Sequence, residues 1–333
     1  MKRTACFCIL VGMVSCGAFG AEVDPFLGRW ALDLQGGGAG WLEVVQGEGY
    51  LDASVLWGGG SVLPVDFATV DGDTLYVSRL NKVERKDAGG AVVRTQTLTE
   101  VLEVKVKGDE LTGTRVLPRR NGQGFERSSF TGKRIAPLPA APDLSKVKFG
   151  DPIALLNGKD LSGWKLTNER QANGWSVQDG VLVNNPVQEE GKHRSYGNLR
   201  TEKEFEDFNL TLDVNVPPHG NSGIYLRGIY EVQVEDTYGK PLNPHNMGGI
   251  YSRITPAVAA EKPAGEWQTM DITLVDRHVT VILNGQKIID NQPLEGCTGG
   301  ALWADEFKPG PIYLQGDHTG IMYRNIVLKP VKK

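Results

Sequence analysis

Apolar and polar residues alternate along much of this chain, and turn-forming residues separate the alternating stretches. In residues 102–107 the sequence reads LEVKVK, so Leu or Val occupies every second position. Successive side chains of a β-strand point to opposite faces, so this pattern predicts strands with one buried and one solvated face. Between such stretches lie pairs such as Asn284-Gly285, which is typical of a type I′ hairpin turn. The pattern predicts an all-β protein.

The predicted strands fall into two groups, separated by a segment that cannot form a strand ladder. Residues 135–142 read IAPLPAAP, and this Pro/Ala-rich, uncharged run predicts a linker, which we place at residues 135–147. Short strands with tight turns in residues 24–134 predict a small antiparallel β-barrel or meander, an accessory domain. Strands with longer connections in residues 148–333 predict a jelly-roll sandwich of two sheets.

The N-terminus has the features of a targeting segment. A basic start precedes an apolar run at residues 5–14, and small residues follow, so residues 1–21 are predicted to be a cleaved signal peptide. An alternative is processing at a loose lipobox, Met13-Val14-Ser15-Cys16, which would leave a lipid anchor on Cys16. Both alternatives predict an exported protein, in the periplasm or at the cell surface. Cys297 is the one cysteine outside this region, so no intramolecular disulfide is expected.

Composition and charge limit the kinds of molecule that the protein is expected to bind. The 333-residue chain has a formal charge of −4 and no run of basic residues, so binding to nucleic acid through phosphate contacts is not expected. The 42 glycines fit a protein with many turns. No acid/base cluster or metal-ligand spacing occurs in residues 24–134, so the candidate chemistry lies in the second half.

A series of short motifs runs through the second half. The motifs are residues 155–164 (LLNGKDLSGW), 175–182 (WSVQDGVL), 221–228 (NSGIYLRG), 230–236 (YEVQVED), 265–269 (GEWQT), 314–318 (LQGDH) and 323–326 (YRNI). In their order and spacing they resemble the 3-keto-disaccharide hydrolase domain family. The resemblance implies a concanavalin-like jelly roll that acts on sugars oxidised at the 3-position. The chain departs from the family by an inserted Gly316 before Asp317-His318, and by Glu235-Asp236 where the family often has Leu-Asp.

Strand alternation in this half predicts one unusually polar sheet face. It places Tyr225 and Arg227 on one face of their strand, opposite Ile224 and Leu226. The members of the same face on neighbouring strands are Glu231, Gln233, Glu235, Tyr313 and Gln315. Amide, carboxylate and guanidinium groups are suited to bidentate hydrogen bonds with sugar hydroxyls. The face therefore predicts a carbohydrate as the partner.

The substrate class that the resemblance implies determines the chemistry. A 3-keto group acidifies the hydrogen on C2, so a base can remove it to give an enolate, and the aglycone then leaves from C1. Water adds afterwards, and the net result is hydrolysis. This route needs a base, a group that stabilises the enolate oxygen and an acid for the leaving oxygen. It does not use the paired carboxylates of ordinary glycosidases.

Residues on the polar face and in the loops beside it are assigned to these roles. We expect Glu231 and His318 to form the acid/base pair, and Arg227 to stabilise the oxyanion charge. Asp317 would orient the imidazole of His318. The expected substrate contacts are Asn221, Tyr225, Gln233, Gln315 and Trp267.

A divalent metal is a candidate cofactor, because a metal ion would polarise the keto oxygen. Its candidate ligands are Glu231, Asp317 and His318. The sequence has no close ligand spacing such as His-x-x-x-His, so no cofactor is assigned from the sequence alone.

Each of these assignments has a plain structural alternative. Glu231 and Arg227 would then form a cross-strand ion pair, and His318 would be an ordinary loop residue. A non-catalytic carbohydrate-binding lectin, or a structural or adhesion module, then competes with an exported enzyme that cleaves 3-keto-glycosides. Geometry distinguishes these functions, because the enzyme needs Glu231 and His318 near a common point.

Overall fold

A computed structural model of the protein describes residues 23–188 and 194–332. The predicted signal peptide and its alternative lipid-anchor site at Cys16 lie outside the described residues. Within the described ranges, no helix is long and apolar enough to cross a membrane. The fold is all-β, as predicted.

The first strands of the chain close into an antiparallel barrel, which follows a 3₁₀ turn at Asp24–Phe26. Its strands are β1 Gly28–Leu34, β2 Ala39–Gln46, β3 Leu51–Trp57, β4 Leu63–Pro64, β5 Phe67–Asp71, β6 Thr74–Lys86, β7 Val92–Lys107, β8 Glu110–Pro118 and β9 Phe125–Arg134. They are arranged in the order β2-β1-β9-β8-β7-β6-β5-β3-β4, and an additional pairing of β2 with β3 closes the ring. Closure leaves no long unpaired edge, which is how small barrels avoid edge-to-edge association.

The barrel interior follows directly from the alternation in the sequence. On β7, Leu102 and Val104 are buried, while Glu103 and Lys105 between them are exposed. The other interior residues include Trp30, Leu32, Leu42, Val44, Val55, Leu75, Val77 and Phe130. The pattern of one buried and one solvated face is therefore the arrangement that the sequence predicts for this region.

The remaining strands form two sheets that pack face to face as a jelly-roll sandwich. Their bounds are β10 Ile153–Ala154, β11 Trp164–Leu166, β12 Trp175–Gln178, β13 Val181–Asn184, β14 Leu199–Thr201, β15 Phe208–Asn215, β16 Asn221–Leu226, β17 Tyr230–Glu235, β18 Trp267–Val275, β19 His278–Leu283, β20 Gln286–Pro293, β21 Tyr313–Leu314 and β22 Ile321–Pro330. The front sheet has the order β11-β14-β21-β16-β17. The back sheet has the order β12-β13-β22-β15-β18-β19-β20, with β10 also paired to β22.

The sandwich core lies between the inner faces of the two sheets. The back sheet contributes Leu210 and Leu212 from β15 and Ile272 from β18, and the front sheet contributes Ile224 and Val232. All of these side chains are buried, and each is flanked in sequence by residues that point the other way. The inner face of the front sheet is therefore apolar, and its other face is free to carry polar groups.

The barrel and the sandwich are in direct contact. Trp41 and Leu56 of the barrel belong to the same buried cluster as the sandwich core. The guanidinium of Arg253 lies over the Trp41 ring, 4.4 Å from its centroid. Arg29 and Glu295 form an ion pair of 2.8 Å across the junction. Apolar packing and polar contacts therefore both join the two parts of the chain.

Candidate active site

A row of polar and aromatic residues crosses the outer face of the front sheet. The strand register pairs Lys165 with Arg200, Arg200 with Tyr313, Tyr313 with Tyr225, and Tyr225 with Glu231. Directly paired residues of neighbouring antiparallel strands project from the same face. The apolar residues that flank Tyr225 and Glu231, such as Ile224 and Val232, point to the core, as alternation predicts. The row therefore lies on the outer face.

Glu231 lies at the β17 end of this row and is almost completely buried, with 3% of its surface exposed. The Tyr225 hydroxyl is 2.9 Å from Oε2 of Glu231 and 2.7 Å from the carbonyl oxygen of Gly299. The Glu231 backbone N–H donates to Oγ1 of Thr298 at 2.9 Å. The segment after Cys297 thus holds both the backbone of Glu231 and its tyrosine partner.

The carboxyl of Glu231 lies over the backbone of Gly223 on the neighbouring strand. A Cβ atom at residue 223 would overlap Oε1 of Glu231, so only glycine leaves room for the carboxyl in this position. The glycine is required here for close approach, because its backbone conformation is an ordinary extended one within β16. Gly223 is therefore part of the site because it has no side chain and leaves space for the Glu231 carboxyl.

Burial raises the pKa of Glu231 from its ordinary value of 4.5 to about 8. For the charged carboxylate, a hydrogen bond donated by Tyr225 and the charge of His318 act in the opposite direction, and the charge of Asp317 adds to the increase. The hydrogen-bond geometry agrees with a protonated acid. The Tyr225 hydroxyl has one proton and the Gly299 carbonyl can only accept, so both contacts are satisfied when Glu231 donates to Tyr225. Glu231 is then a neutral acid at neutral pH.

The two tyrosines beside Glu231 are stacked and neutral. Their rings are 4.1 Å apart between centroids and nearly parallel, at 12°. Asn198 donates from Nδ2 to the Tyr313 hydroxyl at 2.9 Å. Burial raises the pKa of Tyr225 and of Tyr313. Both phenols therefore serve as neutral hydrogen-bonding groups at any pH that the protein experiences.

Asp317 and His318 lie at the more open side of the site. Nδ1 of His318 is 2.8 Å from Oδ1 of Asp317, and the two side chains are 45% and 39% exposed, respectively. The hydrogen bond with Asp317 is the main cause that raises the pKa of His318; burial acts in the opposite direction, and the charge of Asp317 adds to the increase. The pair thus has the arrangement in which a carboxylate orients an imidazole and makes it a stronger base.

Amide side chains occupy the same side of the front sheet. Oε1 of Gln315 is buried and has no hydrogen-bond partner among the described residues. Gln233 is buried and donates from Nε2 to Glu235 at 3.1 Å. Asn221 is held through its backbone, since Oγ1 of Thr319 bonds both its N–H and its carbonyl. Gln315 is therefore the amide with an unused acceptor near Glu231.

The structure does not bring Arg227 to this site, so the prediction that it shares the face of Tyr225 is wrong. Strand β16 ends at Leu226, and Arg227 has a φ of +56°, which breaks the alternation. Its guanidinium is buried and donates to the backbone carbonyls of Glu306 and Lys308 at 2.7 and 2.6 Å. The residue anchors a loop and forms no cross-strand ion pair with Glu231.

Trp267 also lies elsewhere, so its expected role as a substrate contact is not supported. It is the first residue of β18 in the back sheet, where Met270 and Ile272 point to the core. By alternation Trp267 points outward, away from the front sheet. Its ring lies under the guanidinium of Arg324, at 4.0 Å from the centroid. It is a surface packing residue of the opposite face.

The candidate metal ligands do not form a metal site. Among the residues that the structure describes, no group of three or more His, Cys, Asp or Glu side chains is arranged to hold a metal ion. Asp317 and His318 bond to each other, and Glu231 bonds to Tyr225, so the ligand atoms are already engaged. The residues do not fit a metal, and we derive no step from one.

Other residues join the site that the sequence did not assign to it. Strand alternation predicts Tyr313 on the same face as Gln315, but Tyr313 was not among the residues expected to contact the substrate. Gly223 is recognisable only once the Glu231 carboxyl is placed over it. Asn198 and Gly299 come from distant parts of the chain, and no local pattern indicates them.

Residues 151–329 match the sequence profile of the 3-keto-alpha-glucoside-1,2-lyase-like domain family. No curated protein matches this chain. A proposed glycosyl hydrolase of Parabacteroides distasonis ATCC 8503 is 31% identical, over 59% of this chain and 93% of its own, with a TM-score of 0.43. A second structure of that description from the same organism is 24% identical, over 54% and 94%, also with a TM-score of 0.43. The carbohydrate-binding module CBM66 of Bacillus subtilis is 12% identical, over 49% of this chain and 93% of its own, with a TM-score of 0.34.

Proposed function

Because this chain belongs to the 3-keto-alpha-glucoside-1,2-lyase-like domain family and is thus a carbohydrate-active protein, we propose that it cleaves glycosides whose sugar is oxidised at C3. The observation that supports this function is the buried acid Glu231, held by Tyr225 near the His318–Asp317 pair. A lectin needs only polar and aromatic contacts, whereas a buried carboxyl with a pKa near 8 is suited to proton transfer at neutral pH.

The reaction has two proton transfers and one bond cleavage. Neutral His318, oriented by Asp317, takes the proton from C2, and the electron pair moves to the 3-keto oxygen to form an enolate. The enolate collapses, the bond between C1 and the glycosidic oxygen breaks, and Glu231 donates its proton to the departing oxygen. The product is an enone with a double bond between C1 and C2, together with the free aglycone.

Addition of water reverses the roles of the two groups. The Glu231 carboxylate takes a proton from water as the water oxygen bonds to C1, and the His318 imidazolium returns a proton to C2. Both side chains then have their starting protons, and the net result is hydrolysis. We expect the Gln315 amide to bind the sugar beside them, and its acceptor oxygen, which has no partner among the described residues, supports this role.

Aglycone release from a 3-keto-glucoside tests this function. We expect Glu231→Gln and His318→Ala each to lower kcat by about 100-fold or more, the usual range for removal of a general acid or base. Trp267→Phe, on the opposite face, serves as the control and should retain wild-type turnover. Unchanged turnover in both site variants would discard the assignment.

The fate of the C2 hydrogen distinguishes this route from ordinary glycoside hydrolysis. In D₂O, the proposed mechanism places deuterium at C2 of the sugar product, because the proton that returns to C2 comes from exchangeable groups. Equal cleavage of the unoxidised glucoside, with no label at C2, would indicate an oxocarbenium route instead. Saturable sugar binding without release would indicate a lectin.

We also propose that the protein acts outside the cytoplasm, on the basis of the signal-like residues 1–21. The mass of the protein recovered from cell fractions tests this proposal. Cleavage after Ala21 predicts a soluble exported form, and a diacylated N-terminal Cys16 predicts a membrane-anchored one. A full-length cytoplasmic form would contradict both.

A further inference from the structure

The polar row of the front sheet continues beyond β17, into a segment that is outside the named strands. Ile250 forms an antiparallel bridge with Val232, and the Tyr251 N–H donates to the Glu231 carbonyl at 3.0 Å. Val232 and Ile250 are both in the sandwich core. Tyr251, next to Ile250, therefore projects from the same face as Glu231.

Tyr251 connects the row to a histidine and to the barrel. The rings of Tyr251 and His245 are in edge-to-face contact, with 4.7 Å between centroids. Nε2 of His245 is 2.9 Å from Oγ of Ser61, which lies in the connection between β3 and β4 of the barrel. The neighbouring Val62 donates from its backbone to Oγ of Ser252 at 2.9 Å. The barrel thus contributes a hydroxyl at this end of the row.

The same barrel loop, residues 58–62, also reaches the segment that holds Tyr225. The backbone N–H of Gly300 donates to the carbonyl of Gly58 at 3.1 Å. Gly299, whose carbonyl accepts the Tyr225 hydroxyl, packs so closely on Gly60 that an added Cβ would overlap the Gly60 carbonyl. The loop therefore borders the site from Tyr225 to His245.

We propose that Ser61, His245 and Tyr251 form a subsite for the leaving group of the substrate, a second sugar ring or a similar polyhydroxylated aglycone. The proposal rests on the function proposed above. Glu231 lies between two polar groups, His318 with Gln315 on one side and Tyr251 with His245 on the other. If the oxidised sugar occupies the His318 side, the glycosidic oxygen lies near Glu231 and the aglycone extends towards Tyr251.

The three side chains have the chemistry that a sugar requires. All three are partly exposed, so they are accessible to a ligand. An aromatic ring offers an apolar surface to the C–H face of a pyranose, and the hydroxyl and imidazole donate and accept at its edge. Ser61 belongs to the barrel, outside residues 151–329 that match the family, so the barrel would set the specificity for the leaving group.

A comparison of two substrates tests the subsite. One is a 3-keto disaccharide, and the other is methyl 3-keto-glucoside, whose aglycone is too small to reach Ser61. For Ser61→Ala and His245→Ala we expect kcat/KM on the disaccharide to fall by about tenfold, as for the loss of one or two hydrogen bonds. The methyl glycoside should be cleaved as by the wild type, within about twofold.

Gly59→Ala is the matched control in the same loop. A methyl group at residue 59 would meet no atom within 4 Å, so both substrates should be cleaved normally. Equal effects of Ser61→Ala on the two substrates, or no effect on either, would overturn the subsite. A general loss of folding in His245→Ala would leave Ser61→Ala as the decisive variant, because it removes only a hydroxyl.

Failure of the subsite and failure of the proposed function give different results. If the wild type cleaves neither substrate, the proposed function fails. Calorimetric binding of the disaccharide to the wild type and to Ser61→Ala then tests the subsite alone. Weaker binding to the variant would support it, and equal binding or no binding to either protein would overturn it.

Discussion

At the scale of single residues, the site depends on how closely one side chain approaches one glycine. Glu231 is buried, and its carboxyl occupies the space that a side chain at residue 223 would fill. Burial raises the pKa of Glu231, and Gly223 leaves the space in which the carboxyl is buried. The acid and the glycine therefore act as a unit, and a change at either one alters the chemistry.

Gly223→Ala should remove the acid from its position without breaking the strand. The new methyl overlaps Oε1 of Glu231, a side-chain atom, so the carboxyl must move while β16 keeps its pairing. We expect kcat/KM on a 3-keto-glucoside to fall by about 100-fold, close to the effect of removing the acid itself. Circular dichroism should retain the all-β spectrum, and Gly59→Ala should retain activity. Wild-type activity in Gly223→Ala would show that the position of the carboxyl is not critical.

The raised pKa of Glu231 also predicts how stability changes with pH. Between pH 4.5 and about 8 the folded protein keeps a proton on Glu231 that the unfolded chain has lost. The folded state then binds more protons, so its free energy of unfolding falls as the pH rises through this range. Burial raises the pKa of Glu306 and Asp207 as well, and these groups give the same sign.

Glu231→Gln isolates the contribution of this one group. The variant keeps the other carboxyls, so its stability should fall less steeply with pH than that of the wild type. Urea unfolding at pH 5 and at pH 8.5 measures both proteins under the same conditions. If the free energy of unfolding changes equally with pH in the wild type and in the variant, Glu231 is ionised in the folded state at neutral pH.

At the scale of the elements, alternation predicted the site wherever a strand continues and failed where a strand ends. Tyr225, Glu231 and Tyr313 share one face because their strands pair in register. Arg227 follows the last residue of β16 with a positive φ, which a count of alternating positions cannot reveal. Trp267 was expected to contact the sugar, but the sequence does not tell which of the two stacked sheets its strand joins, and β18 lies in the back sheet.

Contacts between residues that are far apart in the sequence are the second feature of the site that could not be predicted. The order of motifs and the hydrophobic pattern predicted an all-β barrel followed by a jelly roll, because both depend on local periodicity. Gly299 is far from Tyr225 in sequence, and its carbonyl reaches the hydroxyl only through the fold of the segment after Cys297. Sequence distance carries no information about such a contact.

The segment from Thr298 to Gly300 should control the protonation of Glu231. In Gly299→Ala, the new methyl overlaps the Gly60 carbonyl, so one of the two backbones must move, and we expect the hydrogen bond between the Tyr225 hydroxyl and the Gly299 carbonyl to weaken. Without this acceptor the Tyr225 proton is free to donate to the Glu231 carboxylate, which stabilises its charged form, so we expect the pKa of Glu231 to fall.

Carbon-13 NMR of labelled glutamate measures this change directly. The Glu231 signal is assigned by its absence in Glu231→Gln, and we expect its pKa to fall by about 1 in Gly299→Ala. Tyr313, Tyr323, Asp317 and His318 also act on Glu231, and none of them changes in this variant. Gly59→Ala should titrate as the wild type. An unchanged pKa in Gly299→Ala would mean that the carbonyl does not direct the tyrosine proton.

At the scale of the whole molecule, the barrel and the sandwich share buried surface and behave as one structure in this fold. Trp41 of the barrel lies in the same cluster as the sandwich core, and Arg253 of the sandwich stacks on it. Cys297 is buried near the Gly40 carbonyl, and burial raises its pKa to about 12, so this thiol is a packing residue. The barrel loop that borders the site is held in place by this shared packing.

Trp41→Ala should therefore destabilise both parts of the molecule together. Removal of a buried tryptophan costs about 3 kcal/mol or more, and the cavity would open where the two parts meet. Hydrogen exchange should show lost protection in the sandwich strands β16 and β17 as well as in β2 of the barrel. Phe67→Ala, at a barrel residue that is 63% exposed, is the control and should change neither. Protection that falls only in the barrel would mean that the sandwich is stable without it, and that the site does not depend on the barrel for its shape.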